Sequence, residues 1–170
     1  MNISIRATQE NESLELCNIQ KAAFLPLYEK YRDEGNPYLR GVEDVANRLN
    51  SDYFRYFTIF LDGEIVGGVL YKCKGRTPFI ENLEEGQYYL QRVYIKPEQQ
   101  CKRIAQTAIL LCEKEFPNAK CFLVDFPELR KEEALSVRGS FFQLIYRKSR
   151  MKSPQWQDCL QLLLRYGVPF

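Results

Sequence analysis

The sequence contains no histidine, which removes the commonest general base and every Ser-His or Cys-His nucleophilic pair. Any proton transfer must use carboxylates, tyrosines, lysines, thiols or water. Six cysteines (Cys17, Cys73, Cys101, Cys112, Cys121 and Cys159) are scattered without a C-x-x-C pair. With no histidine to join them they complete no mixed zinc site, so no metal centre is expected, and they read as reduced and mostly buried thiols. The eleven tyrosines each carry a hydroxyl that can hold a proton, but their apolar rings make core or rim the ordinary place for most of them.

The elements that must position such groups follow from length and pattern. A chain of 170 residues with 45% hydrophobic and 14% aromatic content has the material of one compact domain, expected over 1–170. Its 24 Lys and Arg nearly offset 22 Asp and Glu, so no broad basic field for a nucleic-acid backbone is expected. The start, Met1 to Thr8, alternates like a strand and lacks the apolar run of a signal peptide or membrane span. A cytoplasmic protein without a membrane partner is therefore expected.

After the Ile3/Ile5 strand, Asn11 or Ser13 is placed to cap a helix with Leu14, Cys17, Phe24, Leu25 and Tyr28 on its apolar face. Val42, Val45, Ala46 and Leu49 mark a second, shorter helix. Tyr56–Leu61, Asp62-Gly63 and Glu64–Lys72 spell a hairpin, because Asp-Gly supplies the positive φ angles of a tight turn. Gly67 and Gly68 within its second arm mark a bulge or a close approach of another backbone. A polar loop over residues 75–86 leads into a strand at Gln87–Ile95, with Tyr89, Val93 and Ile95 on one face and Tyr88, Leu90 and Tyr94 on the other. A helical stripe spans Lys102 to Phe116, and a short strand follows at Lys120–Phe126. Leu129–Val137 reads as a helix, and Phe141–Arg147 and Asp158–Tyr166 as final strands. The strand-helix-strand unit over 87–125 implies a parallel pair among antiparallel neighbours.

This order, together with the run Leu90-Gln91-Arg92-Val93-Tyr94-Ile95-Lys96-Pro97-Glu98-Gln99-Gln100-Cys101-Lys102-Arg103-Ile104-Ala105, resembles the GNAT superfamily of N-acetyltransferases. Gln100, Ile104 and Ala105 match that family's Gln/Arg-x-x-Gly-x-Gly/Ala motif. The resemblance implies an α/β GNAT fold: a mixed, mostly antiparallel central sheet with one parallel, splayed strand pair, flanked by helices. It implies acetyl-CoA as cosubstrate, with its pyrophosphate on the amides of Gln100, Cys101, Lys102, Arg103, Ile104, Ala105 and Gln106 at a helix N-terminus. It also implies that the backbone of Val93, Tyr94 and Ile95 pairs with the pantetheine arm as an added strand.

In the chemistry so implied, a primary amine of a small molecule or peptide is acetylated directly in a ternary complex. The amine needs a base, for which Glu81, Glu84 and Glu85 are candidates, and the oxyanion needs a donor such as the Tyr94 amide. Two departures from the family pattern bear on this. Cys101 and Arg103 stand where relatives carry glycine, so that Lys102 and Arg103 either replace lost amide contacts or obstruct the pocket. Glu133 and Val137 stand where an Asn and the acid Tyr often occur, leaving Tyr146, Tyr94 or Tyr166 as substitutes. The alternative is a GNAT-like binding or regulatory domain without catalysis. Tyr28, Tyr31, Tyr38 and the 53–57 segment suggest an aromatic acceptor wall, and an edge at Leu160–Arg165 is apolar enough to pair two copies into a homodimer.

Overall fold

A computed structural model describes residues 1–78, 80–127 and 141–147 of the chain, with 124–127 and 141–147 as strand backbone. The elements are β1 (Ile3–Ala7), α1 (Ser13–Tyr31), α2 (Val42–Leu49), β2 (Phe54–Leu61), β3 (Glu64–Lys72), β4 (Gln87–Ile95), α3 (Ile104–Lys114), β5 (Cys121–Pro127) and β6 (Phe141–Arg147). The strands form a sheet in chain order, antiparallel throughout except for the parallel pair of β4 with β5. The helix expected at Leu129–Val137 and the strand expected at Asp158–Tyr166, with the Leu160–Arg165 edge, lie outside the described residues. So do Glu133, Val137 and Tyr166.

Each face of the sheet carries its own core. On one, α3 packs Ile104, Ala105, Ala108, Ile109 and Cys112 against Ile59, Val69, Leu90, Val93 and Ile95. On the other, α1 and α2 pack Leu16, Ile19, Ala23, Phe24 and Val45 against Tyr56, Leu70 and Tyr94. A sheet clad by helices on both sides needs strands apolar on both faces, which explains the nearly continuous apolar run of β4. None of the described helices is long and apolar enough to cross a membrane.

The hairpin forms as its turn chemistry dictates, with φ of 50° at Asp62 and 93° at Gly63. Of the two alternatives for Gly67 and Gly68, the close approach is found at the glycines themselves, and a bulge falls beside them at Val66. The β2–β3 register shifts between Ile59 and Phe60. A Cβ on Gly67 would lie 2.1 Å from the Tyr94 carbonyl oxygen, and one on Gly68 would lie 2.6 Å from the Tyr94 hydroxyl. β4 can therefore press against β3 only over glycine.

Several expectations are corrected. Neither Asn11 nor Ser13 caps α1. A 3-10 turn at Glu10–Glu12 precedes the helix, and the Glu12 carboxylate takes the Gln9 N–H at 2.8 Å, the Arg6 guanidinium at 2.6 Å and the Thr58 hydroxyl at 2.9 Å. The buried face of α1 runs through Leu16, Cys17, Ile19, Gln20, Ala23 and Phe24, and leaves Leu14 63% exposed. In β4 the strict alternation fails. The β3–β4 register shifts between Leu70 and Tyr71, so Gln91 is an extra residue, and Tyr88 and Leu90 join Val93 and Ile95 on the α3 face. α3 starts at Ile104 rather than Lys102, because Cys101 and Arg103 adopt left-handed backbone that no helix admits.

Candidate active site

Two pieces of backbone build the site. The first is the free edge of β4. Strands β4 and β5 pair only over Gln87–Tyr89 and Cys121–Leu123, and the bulge at Gln91 begins where that pairing ends. The Lys96 N–H donates to the Val66 carbonyl of β3 at 2.7 Å. In an antiparallel ladder the amides alternate sides, so Tyr94 also turns its N–H toward Gly68 of β3, and Val93 and Ile95 turn theirs to the open edge. Consistent with this, the Ile95 carbonyl is met from that edge by the Gln100 Nε2 at 3.1 Å. The Tyr94 amide, expected as the oxyanion donor, thus faces the neighbouring strand, and the amides free to receive a ligand are those of Val93 and Ile95.

The second piece is the turn that follows. A 3-10 turn at Pro97–Gln99 leads to Gln100, and Cys101 and Arg103 take φ values of 62° and 61°. These are backbone angles that glycine adopts freely and other residues rarely. The loop therefore keeps the course of a glycine turn without containing glycine. The first backbone bond of α3 runs from the Thr107 N–H to the Arg103 carbonyl at 3.1 Å, so the amides of Ile104, Ala105 and Gln106 have no intrahelical acceptor. These amides converge with the helix dipole on the site expected for phosphate.

Side chains there are arranged as follows. The Lys102 ammonium folds back to the Glu98 carbonyl at 3.2 Å and the Gln99 Oε1 at 2.8 Å. Arg103 and Cys101 are exposed. Ile95, Gln99, Gln100, Cys101, Arg103, Ile104, Ala105 and Gln106 line a depression of only about 10 Å³. The Arg103 guanidinium, at its rim, has no hydrogen-bond acceptor among the described residues.

The expected acid-base groups do not gather at this edge. Glu81, Glu84 and Glu85 are exposed in the loop before β4. Glu85 lines a cavity of about 610 Å³ with Asp52, Arg55, Cys73, Lys74 and Tyr88. That cavity belongs to the opposite end of β4, where the strand starts. Tyr146 sits in register with Phe122, which pairs with Tyr88, so it too lies at the closed end, roughly 16 Å of extended strand from Val93. Tyr94 is fully buried, and its hydroxyl is 2.6 Å from that of Tyr56. Burial, aided by the Tyr56 contact, raises the Tyr94 phenol well above its ordinary value. Burial likewise pushes Tyr56 up to about 12. Both hydroxyls are therefore neutral structural groups at physiological pH. Of the tyrosines read as an aromatic wall, Tyr28 and Tyr38 stack at 5.0 Å, while Tyr31 and Tyr53 are exposed.

A polar network on the α1–α2 face escaped the sequence reading. Arg92, just after the bulge, donates through Nη1 to Gln20 Oε1 at 3.0 Å and to Asp44 Oδ2 at 2.8 Å. Asp44 also accepts from Arg48 Nε at 3.0 Å, and Arg48 Nη1 reaches Gln91 Oε1 at 2.8 Å. Burial would raise the Asp44 carboxyl, but hydrogen bonds from Arg48 and Arg92 outweigh it and hold the group below its usual range. The available signal was an arginine inside an otherwise apolar strand together with a glutamine on the apolar face of α1. Neither has a place in a buried face without a partner.

A sequence profile described as the acetyltransferase (GNAT) family matches residues 15–131. No curated protein sequence matches the chain. Among solved structures, similarity extends to the PaiA N-acetyltransferase from Thermoplasma acidophilum in complex with coenzyme A, with a TM-score of 0.63 and 16% identity over 86% of this chain and 100% of that one. An acetyltransferase from Thermus thermophilus aligns with a TM-score of 0.59 and 14% identity over 95% of this chain and 85% of that one. RimL, a ribosomal-protein alpha-N-acetyltransferase in complex with coenzyme A, aligns at 0.57 and 11% identity, covering 86% and 93% of the two chains. At these identities the likeness is one of fold.

Proposed function

Because this chain belongs to the GNAT acetyltransferase family, we propose that it is an N-acetyltransferase. It transfers an acetyl group from acetyl-CoA to a primary amine of a small molecule or peptide, directly and in one ternary complex. The observation that carries this reading is the left-handed backbone at Cys101 and Arg103. Non-glycine residues avoid that conformation unless something retains it, and here it leaves the amides of Ile104, Ala105 and Gln106 converging on one spot. The relatives in complex with coenzyme A support the identity of the cosubstrate.

In this reading the amides of Ile104 to Gln106, with the exposed Arg103 guanidinium, hold the diphosphate by charge-assisted bonds. The open-edge groups of Val93 and Ile95 bind the pantetheine amides as a strand would. Acetyl-CoA supplies an acetyl thioester, whose carbonyl accepts an amine and whose thiolate is a fair leaving group. An amide on the open edge, from Val93 or Ile95, donates to the carbonyl oxygen as charge develops on it. The amine loses its proton to water, since Glu81, Glu84 and Glu85 lie in the loop before β4 and the Tyr94 phenol is buried.

This same scarcity of acid-base groups favours the second reading, a domain that binds the cofactor without turning it over. Thermal unfolding with acetyl-CoA and release of free thiol in the presence of amines separate the two. With the cofactor at about a hundred times its Kd, binding adds about 2.7 kcal/mol. For a chain of this length that raises Tm by about 5–10 °C. A shift with thiol release supports the enzyme, and a shift without release supports the binding domain. No shift and no calorimetric heat with coenzyme A overturn both. An R103A variant that binds more weakly identifies the guanidinium as a phosphate ligand, and one that binds more tightly identifies it as an obstruction.

A further inference from the structure

The network on the α1–α2 face has more positive charge than its fold needs. Around the Asp44 carboxylate stand Arg48 and Arg92, and Arg48 lies 4.8 Å from the Phe54 ring that the Lys72 ammonium also approaches at 5.8 Å. Three cations therefore lie along this face: Arg48 and Arg92 pair with Asp44, and Lys72 donates to the Arg76 carbonyl at 2.5 Å. Burial and the Arg48 charge lower the Lys72 ammonium from its ordinary value.

Arg92 shows where the missing anion would sit. Its side chain is 8% exposed, and both of its hydrogen bonds leave from Nη1. The Nε–H and Nη2–H groups, which project in parallel along one side of the guanidinium, have no acceptor among the described residues. Neither nitrogen is among the fully enclosed side-chain atoms that lack a partner, so neither is sealed from solvent. A side-on guanidinium fork of this kind matches the two oxygens of a carboxylate. Arg92 follows the bulge and precedes Val93, so the fork belongs to the stretch of β4 where it leaves β5.

We propose that Arg92, with Arg48 and Lys72, forms a subsite for a carboxylate carried by the acceptor, so that the amine substrate is amino-acid-like rather than a simple amine or polyamine. This rests on the acetyltransferase reading and goes beyond it by naming the acceptor class. Asp44 and Gln20 hold Nη1 and so orient the fork, and a polyamine would meet three cations.

The test is an acceptor panel of matched size: β-alanine, β-alaninamide, ethylenediamine and aminoethylphosphonate, each with acetyl-CoA and thiol release as the readout. The wild-type protein should acetylate β-alanine with a kcat/KM about tenfold or more above β-alaninamide, the amount one charge-assisted contact provides, with ethylenediamine poorest. An R48Q/K72Q double variant should reduce that ratio to below about threefold. Equal or better use of β-alaninamide or ethylenediamine overturns the proposal, and preference for aminoethylphosphonate overturns its assignment to carboxylate. Calorimetry with N-acetyl-β-alanine and its amide needs no turnover: tighter binding of the acid supports the subsite and equal binding refutes it. If no amine is acetylated and acetyl-CoA gives no thermal shift, the enzymatic reading has failed, and the calorimetric pair still decides the subsite.

Discussion

Two glycines illustrate how differently a missing side chain can matter. Gly67 has ordinary strand backbone, but a Cβ there would strike the Tyr94 carbonyl oxygen at 2.1 Å. Main chain cannot move aside as a flexible side chain can, so Gly67→Ala should cost about 3 kcal/mol. That corresponds to a loss of about 6–12 °C in Tm for a chain of this length. Gly63 has open space around it and a φ of 93°, and Gly63→Ala should cost only about 1 kcal/mol, from backbone strain alone. Differential scanning calorimetry of the two variants checks the order. The hairpin was legible because Asp-Gly encodes its own turn. The cradle was harder to read, since Cys101 and Arg103 occupy glycine backbone that their side chains give no reason to expect. The fully buried Tyr94 was read as part of the reaction site, because a strand's sequence does not say which of its amides are paired.

At the scale of elements, helix and strand existence was largely visible in hydrophobic period, and facing was not. The bulge at Gln91 depends on how β4 meets β3, a relation between strands some twenty residues apart, so alternation along β4 could not disclose it. The face of α1 was read only in part for a similar reason: Cys17 and Phe24 are buried as expected, but Gln20 is wholly buried because Arg92 awaits it from another element. The junction of α2 with β4 through Asp44 has a pH signature. The Asp44 carboxyl is depressed in the folded state, so it stabilises the fold above the unfolded carboxyl range near pH 4, and that contribution fades as pH falls through the lower folded value. Asp44→Asn should therefore unfold more easily at pH 7, by about 2 kcal/mol, since Arg92 loses its counter-charge. The penalty should shrink steadily as pH falls below about 4. Urea titrations of both proteins across this range give the comparison, and a penalty independent of pH would contradict the assignment.

At the scale of the whole molecule, the described strands form a sheet closed at one end and open at the other. The closed end holds the rings of Phe57, Tyr71, Tyr88, Phe116 and Phe122, which meet at 4.2–6.0 Å. The open end holds the free edge of β4 and the start of α3. Sequence order foretold a parallel pair, and the family resemblance its splay, but the candidate acid-base residues were assigned without knowing at which end each would lie. Glu84, Glu85 and Tyr146 turned out to belong to the closed one.

The one-sided pairing of β4 beyond its bulge has a consequence for solvent exchange. Amide deuteration should alternate residue by residue along a single buried strand: Tyr94 slow, because β3 takes its proton, and Val93 and Ile95 faster, because nothing among the described residues does. A bound coenzyme whose arm completes the ladder should erase that alternation, protecting the two fast amides while leaving the slow one as it was. Residue-resolved exchange by NMR, with and without coenzyme A, would thus read occupancy of the edge directly from the protein's own protons, and an unchanged alternation at saturating coenzyme would mean that the arm lies elsewhere.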